Sequence, residues 1–308
     1  MTVAGGPLRR GAERGAELGA ELGADVRVGI SGWRYPPWRG EFFPPSLPQR
    51  LELEYAASRL RTIEINGSFY SLQPPANWRQ WRGAVPADFE FAVKGGRFVT
   101  HMKRLRDAEE GLATFFASAP LLLDDRLGPF LWQLPPNFQY DRGVLAEFFA
   151  QLPRTEAEAA ALARRNTRTL PRAGDDPLWQ RARSGHGGRR LRHALEVRHL
   201  SFRNDDFCRL CKDHDVAVVV SDGGAAWPQF DEITSDHMYV RLHGADQLYV
   251  SGYPEADLDR WADRIRAWAV HPDVSSVRVY FDNDVKVCAP YDAMSLARRL
   301  GVGREDPT

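Results

Sequence analysis

Residues 62 to 70 read TIEINGSFY, and Glu64 stands among Thr62, Ile63, Ile65, Phe69 and Tyr70, all of which favour extended backbone. A lone buried carboxylate is costly unless it is paired, hydrogen-bonded or protonated, so Glu64 either faces water or has partners. Further along, HALEVR carries Glu196 and Arg198, FEFAVK carries Lys94, and MYVRLH carries Arg241 and His243. Two carboxyl groups in one cavity suit glycoside-type acid/base chemistry, where one donates a proton and the other acts as nucleophile or base across roughly 5 to 9.5 Å. Glu64 and Glu196 are the expected pair. Lys94, Arg198 and Arg241 would keep one of them ionised or hold an anionic substituent. Histidines His101, His199 and His243 follow three different strand candidates and suit proton transfer near pH 7; His243 is the expected third catalytic group. Asn66 and Gln133 would orient hydroxyls, Trp33 and Tyr70 would offer aromatic faces to a sugar or base, and Asp222 and Asn283 complete the expected ligand-facing set.

These residues need elements to hold them. Eight runs read as strands: 26 to 31, 62 to 66, 89 to 94, 129 to 134, 193 to 198, 216 to 222, 238 to 243 and 277 to 283. Amphipathic stretches such as LELEYAASRL, AEEGLATFFASAPLL, DRGVLAEFFAQL, RNDDFCRLCKDH, PEADLDRWADRIRAWAV and AMSLARRL alternate with them. Eight such alternations predict a (β/α)8 barrel in the α/β class. An open doubly wound sheet is the rival, but neither a G-x-G-x-x-G nor a Walker A pattern follows a strand. Alternate strand residues share a face: Thr62, Glu64 and Asn66 oppose Ile63 and Ile65, and Tyr239, Arg241 and His243 oppose Met238, Val240 and Leu242. The apolar face should meet the helices, which sends the mixed face into the barrel. Its polar members cluster near the strand ends, at the mouth where barrel enzymes keep their active sites.

The chain has 308 residues, 43% hydrophobic and 27% charged, and its 41 basic residues balance 41 acidic ones. That composition supports one large core and gives no global field toward nucleic acid or anionic membrane. No apolar run reaches the roughly 18 residues of a membrane span, and the N-terminus lacks a secretory h-region, so a cytoplasmic protein is expected. Residues 1 to 24 read as a disordered extension, 25 to 303 as the barrel domain, and 304 to 308 as a tail. Residues 154 to 192 read as an extended surface insertion, helical in its first half. Cys208 and Cys211 form a C-x-x-C inside a helix-like stretch without a second pair, and three cysteines make no disulfide framework.

The segments GISGWRYPPWRGEFFP, TIEINGSFY, FAVKGGRFVTH, GPFLWQLPPNF, HALEVRHLSF, YVRLHG and VYFDND, in that order, resemble the YecE-like proteins, the family catalogued as domain of unknown function 72. The resemblance runs from about Val28 to Leu300 and implies a TIM barrel, leaving the chemistry open. The family usually shows YFNND near the last strand; here Asp282, Asn283 and Asp284 stand there, so a Glu64, Glu196 and Asp222 core is expected to work without Asp282.

Three functions compete. The first is an acid/base enzyme without a cofactor, acting on a small polar, carbohydrate-like or anionic ligand: a hydrolase, isomerase or lyase. The second is a divalent-metal isomerase or phosphodiesterase using Glu64, Glu196, Asp222 and His243, disfavoured by the three cations nearby. The third is a non-catalytic binder or a nucleic-acid-associated protein. Zero net charge speaks against broad phosphate-backbone binding, with the Arg-rich segment 181 to 192 as the local exception.

Overall fold

Eight parallel strands close into a barrel, each pairing with the next in chain order and the last returning to the first. They are β1 (Asp25–Ser31), β2 (Thr62–Ile65), β3 (Glu90–Lys94), β4 (Leu127–Gln133), β5 (His193–Glu196), β6 (Val216–Asp222), β7 (His237–Leu242) and β8 (Ser276–Phe281). The structure is a computed structural model and describes residues 22–170, 180, 188–224, 227–245 and 247–304. Most of the expected N-terminal extension and C-terminal tail, and residues 171–179 and 181–187 of the expected insertion, lie outside those residues. Among the described residues, no helix is long and apolar enough to cross a membrane.

The period-two pattern sorts the side chains. Ile63, Ile65, Phe91, Val93, Leu195, Met238, Val240 and Leu242 join one core between strands and helices. Ala92, Leu131, Ala194, Ala217, Val219, Tyr239 and Tyr280 form a second cluster, the middle layer of the barrel interior. Below it, Arg278 on β8 binds Glu90 at 2.5 Å and Asp25 at 2.7 Å. Above it lies the polar layer at the strand C-termini. The interior is thus an apolar belt between two charged layers, where a typical barrel stacks branched aliphatics.

The helices begin where side chains can satisfy the free N–H groups of a first turn. Asp141 accepts from the Val144 amide ahead of helix Arg142–Gln151, and Asn204 from the Phe207 amide ahead of helix Asp205–Asp213. Thr155 does the same for helix Glu156–Arg164. Helix Asp205–Asp213 turns Phe207, Leu210 and Cys211 inward. Burial pushes the Cys208 thiol up to about 11 and that of Cys211 well above its ordinary value, so both stay unreactive thiols. The stretch NWRQW belongs to helix Pro75–Gly83, which buries Trp78 and Trp81 at i, i+3 spacing. Trp78 donates its indole N–H to the Ser118 carbonyl at 2.7 Å. The last helix, Cys288–Arg299, starts earlier than AMSLARRL suggests. In the Arg-rich segment, Arg189 pairs with Glu156, Arg190 with Asp215 and Asp236, and Arg192 with Asp236. Its described arginines are therefore largely neutralised by acids.

Gly29 faces inward on β1, where a Cβ would stand 1.9 Å from the Thr62 carbonyl oxygen. That oxygen belongs to the β2 backbone and cannot swing away. Gly29→Ala should lose about 3 kcal/mol or more of stability through forced overpacking. Gly83→Ala, at a helix position with nothing within 4 Å of the new methyl, should gain a few tenths to ~1 kcal/mol. Denaturant titration of both variants checks the contrast, and equal midpoints would contradict it.

Candidate active site

Arg241 is the hub of the upper layer. Its side chain is fully buried, and strand register sets Ser221 beside it on one side and Tyr280 on the other. Nε donates to Glu64 Oε2 at 3.1 Å, Nη1 to Glu196 Oε2 at 2.7 Å, and Nη2 to Glu64 Oε1 at 2.9 Å and Asp282 Oδ2 at 3.0 Å. One guanidinium thus holds three carboxylates, using its planar set of donors from both edges. Glu64 also accepts from the Tyr239 hydroxyl at 2.7 Å, and Glu196 from Arg198 at 3.0 Å. This answers why a carboxylate stands inside TIEINGSFY: Glu64 is buried, and Arg241 is its partner. Burial pushes the Glu196 carboxyl up, but Arg198 and Arg241 outweigh it and hold the group well below its ordinary range. Asp282 is likewise lowered, with Arg241 outweighing burial. His243 is buried between Glu196 (3.4 Å) and Asp282 (3.2 Å), close approaches without aligned hydrogen bonds.

Above this floor opens a cavity of about 1100 Å³ at the C-terminal mouth. Trp33, Asn66, Tyr70, Lys94, His101, Gln133 and Arg198 from the expected set all line it. Glu64, Glu196, Arg241 and His243 do not; they lie beneath. Lys94 ends β3 with its Nζ 4.7 Å from the centre of the Phe69 ring. Among the described residues, no ion pair or hydrogen bond engages that ammonium. Burial, reinforced by Arg241, lowers its pKa to about 8 despite the opposing pull of Glu64 and Asp282. His101 sits edge-on to Phe69, with ring centres 5.0 Å apart, and its Nδ1 lies 2.9 Å from Thr100 Oγ1. Burial and then Lys94 lower its pKa.

Three expected ligand-facing residues are elsewhere. Asp222 shares parity with the outward Val218 and Val220, accepts from the Tyr253 hydroxyl at 3.0 Å and lines a separate small cavity beside Trp261. Ser221 takes the inward position and reaches Glu196 at 3.5 Å. Asn283 follows Asp282 and therefore faces the other way, donating to Ser251 and Asp292. His199 caps the short turn Leu200–Phe202 by accepting from the Ser201 amide. All three corrections have one cause: a single step along a strand or its extension reverses the face. The set Glu64, Glu196, Asp222 and His243 is consequently not assembled around a common point, because Asp222 points away and a guanidinium occupies the space between the two glutamates. Among the described residues, no group of three or more His, Cys, Asp and Glu side chains is placed to hold a metal ion.

The cavity also exposes residues outside the expected ligand-facing set: Arg34, Tyr35, Phe69, Trp81, Arg97, Tyr249, Asp282 and Asp284. Most sit on loops, where periodicity carries no information. Asp282 is the exception, since the parity of Arg278 and Tyr280 already turns it inward. Trp33 is nearly buried and meets Trp81 edge-to-face at 5.5 Å, forming one wall.

Removing Arg241 would leave three carboxylates without their shared partner. Arg241→Met should lose about 3 to 5 kcal/mol at pH 7. The pH dependence has a definite sign. The lowered carboxyls of Glu196 and Asp282 stabilise the native protein above the ordinary carboxylate range, and that contribution fades as pH falls through their native values. In the variant, burial is opposed by less positive charge and those values rise, so the gap between the two proteins should narrow from pH 7 to pH 4. Urea midpoints across that range measure it, and a widening gap would refute the account.

The model of the family described as "Protein of unknown function DUF72" matches residues 27–308. The UPF0759 protein YunF of Bacillus subtilis is 29% identical over 118 residues, and the UPF0759 protein YecE of Escherichia coli is 28% identical over 116; each match covers 37% of this chain. The matched segments span 41% and 39% of those relatives. A DUF72 family protein of Thermotoga maritima superposes with a TM-score of 0.69 at 23% identity, covering 90% of this chain and 99% of that one. One from Enterococcus faecalis does so with a TM-score of 0.64 at 17% identity, covering 92% and 99%. At such identities the solved structures speak for the barrel alone; the family model, matching nearly the whole barrel from Arg27 onward, establishes that the chain belongs to the DUF72 family.

Proposed function

We propose that the protein is an enzyme that binds a small anionic, hydroxylated ligand at the C-terminal mouth and acts on it by acid/base chemistry through Lys94 and His101. The carrying observation is the state of charge of the mouth. Glu64, Glu196 and Asp282 are engaged from below by Arg241. Lys94, Arg34 and Arg97 line the cavity without an ion pair to a described residue, and Asp284 is the further acid facing them. Burial, with Asp282 beside it, raises the Asp284 carboxyl, which favours its neutral form. Anions entering such a site gain charge-assisted hydrogen bonds, while Asn66 and Gln133 suit hydroxyl groups and Trp33, Phe69 and Tyr70 suit the faces of a ring.

Glu64 and Glu196, first expected as the reacting pair, serve here as a fixed electrostatic floor. A general acid must give up a proton at working pH, and Glu196 is held deprotonated by two guanidinium groups. Lys94 and His101 face the cavity itself, and the lysine titrates close to neutrality.

Calorimetry with glucose 6-phosphate and with glucose tests the reading. The phosphate ester should bind at least ~10-fold tighter, with Arg97→Ala weakening it about 10-fold, an effect near 1.4 kcal/mol, and with added salt weakening it further. Affinity should fall as pH rises through about 8, where Lys94 loses its charge. Equal affinity for the neutral and phosphorylated sugars would overturn the proposal.

A further inference from the structure

The chain holds 41 basic residues, of which four are lysines: Lys94, Lys103, Lys212 and Lys286. Where this protein pairs a cation with a carboxylate in its interior, at Arg241, Arg278 and Arg198, it uses arginine. Lys94 is the lysine of the cavity. An arginine there would serve an anion at least as well, through its bidentate fork. What arginine cannot do is lose its proton and attack.

Every charged group facing Lys94 bears on that capacity. Arg241 lies beneath, with Glu64, Glu196 and Asp282 already bound to it. Phe69 packs against the ammonium at 4.7 Å, and His101 meets the same Phe69 ring edge-to-face with ring centres 5.0 Å apart. Desolvation and a neighbouring cation are the two means by which a lysine becomes a nucleophile at neutral pH, and both act here. The strand end points it into a cavity of about 1100 Å³, large enough for a ligand of sugar-phosphate size.

We infer that Lys94 is a catalytic nucleophile that forms a Schiff base with an aldehyde or ketone bearing a phosphate or carboxylate group. This rests on the anionic-ligand reading above and names its substrate class. The neutral amine of Lys94 adds to the carbonyl carbon, giving a carbinolamine. The carbinolamine oxygen leaves as water, and the nitrogen lone pair closes the C=N bond; the nitrogen's two protons leave it as the carbonyl oxygen is converted to that water. No electrons change hands. His101, whose Nε2 has no hydrogen-bond partner among the described residues, relays the proton to the departing oxygen, and Arg34, Arg97 and Arg198 hold the anionic end.

The experiment treats the full chain with pyridoxal 5′-phosphate or with glyoxylate, traps any imine with borohydride, and maps the adducts by peptide mass spectrometry. The two probes separate a phosphate-bearing from a carboxylate-bearing substrate. Lys94 should be modified at least ~10-fold faster than Lys103, Lys212 or Lys286, the rate should rise as pH passes through about 8, and inorganic pyrophosphate should compete. Lys94→Arg should keep pyrophosphate affinity, measured by calorimetry, within about 3-fold while losing the preferential adduct. Because the rate comparison among the four lysines is made in the unaltered protein, it stands even if that variant folds poorly. Pyrophosphate binding together with uniform labelling of all four lysines would overturn the Schiff base and leave anion binding standing; absence of pyrophosphate binding would overturn the anionic-ligand reading on which the inference rests. The pH trends also separate the two, since noncovalent anion binding weakens above about 8 while imine capture speeds up.

Discussion

One guanidinium orders the upper half of this barrel. Arg241 joins Glu64 on β2, Glu196 on β5 and Asp282 just past β8, so a single side chain ties together three sectors of the sheet. Taking a charge out of water is expensive, and the cluster is tolerable only because nearly every donor and acceptor in it is matched. The same argument gives the cluster its rigidity. Removing a single member leaves another charge stranded, so these residues stand or fall together.

The location proposed for the reacting groups follows from that constraint. Carboxylates locked under a buried arginine are poor proton donors, because their charge is already spent on a partner that cannot deprotonate. The titratable groups that the cluster leaves over are Lys94 and His101, both packed against Phe69. Both have lowered pKa values, and each is among the causes of or exposed to the same positive field. Lys94 is thus destabilised as a cation by the very residue that stabilises the acids below it. An incoming anion would relieve that imbalance, which is the physical basis of the proposed anionic ligand.

Much of the fold was legible in the chain. Strand positions followed from β-branched runs separated by helix-length stretches, and the inward face followed from alternation: Glu64, Arg241 and Lys94 all turn where parity sends them. The resemblance to the YecE-like proteins agreed with that barrel and with the family match. Helix Pro75–Gly83 was not among the stretches read as helical, although the spacing of Trp78 and Trp81 is helical. Asp222 and Asn283 were misplaced where the alternation was applied to the neighbourhood of a strand end rather than residue by residue; Ser221 and Asp282 take the inward positions instead.

The sequence by itself determined which residues form strands and which side of each strand is polar, since both are consequences of local backbone geometry and of the period of two. Only the tertiary structure decided that Glu64, Glu196 and Asp282 converge on one arginine while Lys94 is left facing the cavity unpaired. Those partners lie between 41 and 177 residues apart in the chain. Their distances are set by closure of the sheet into a ring and by the stagger of its strands, and no local pattern of residues encodes either.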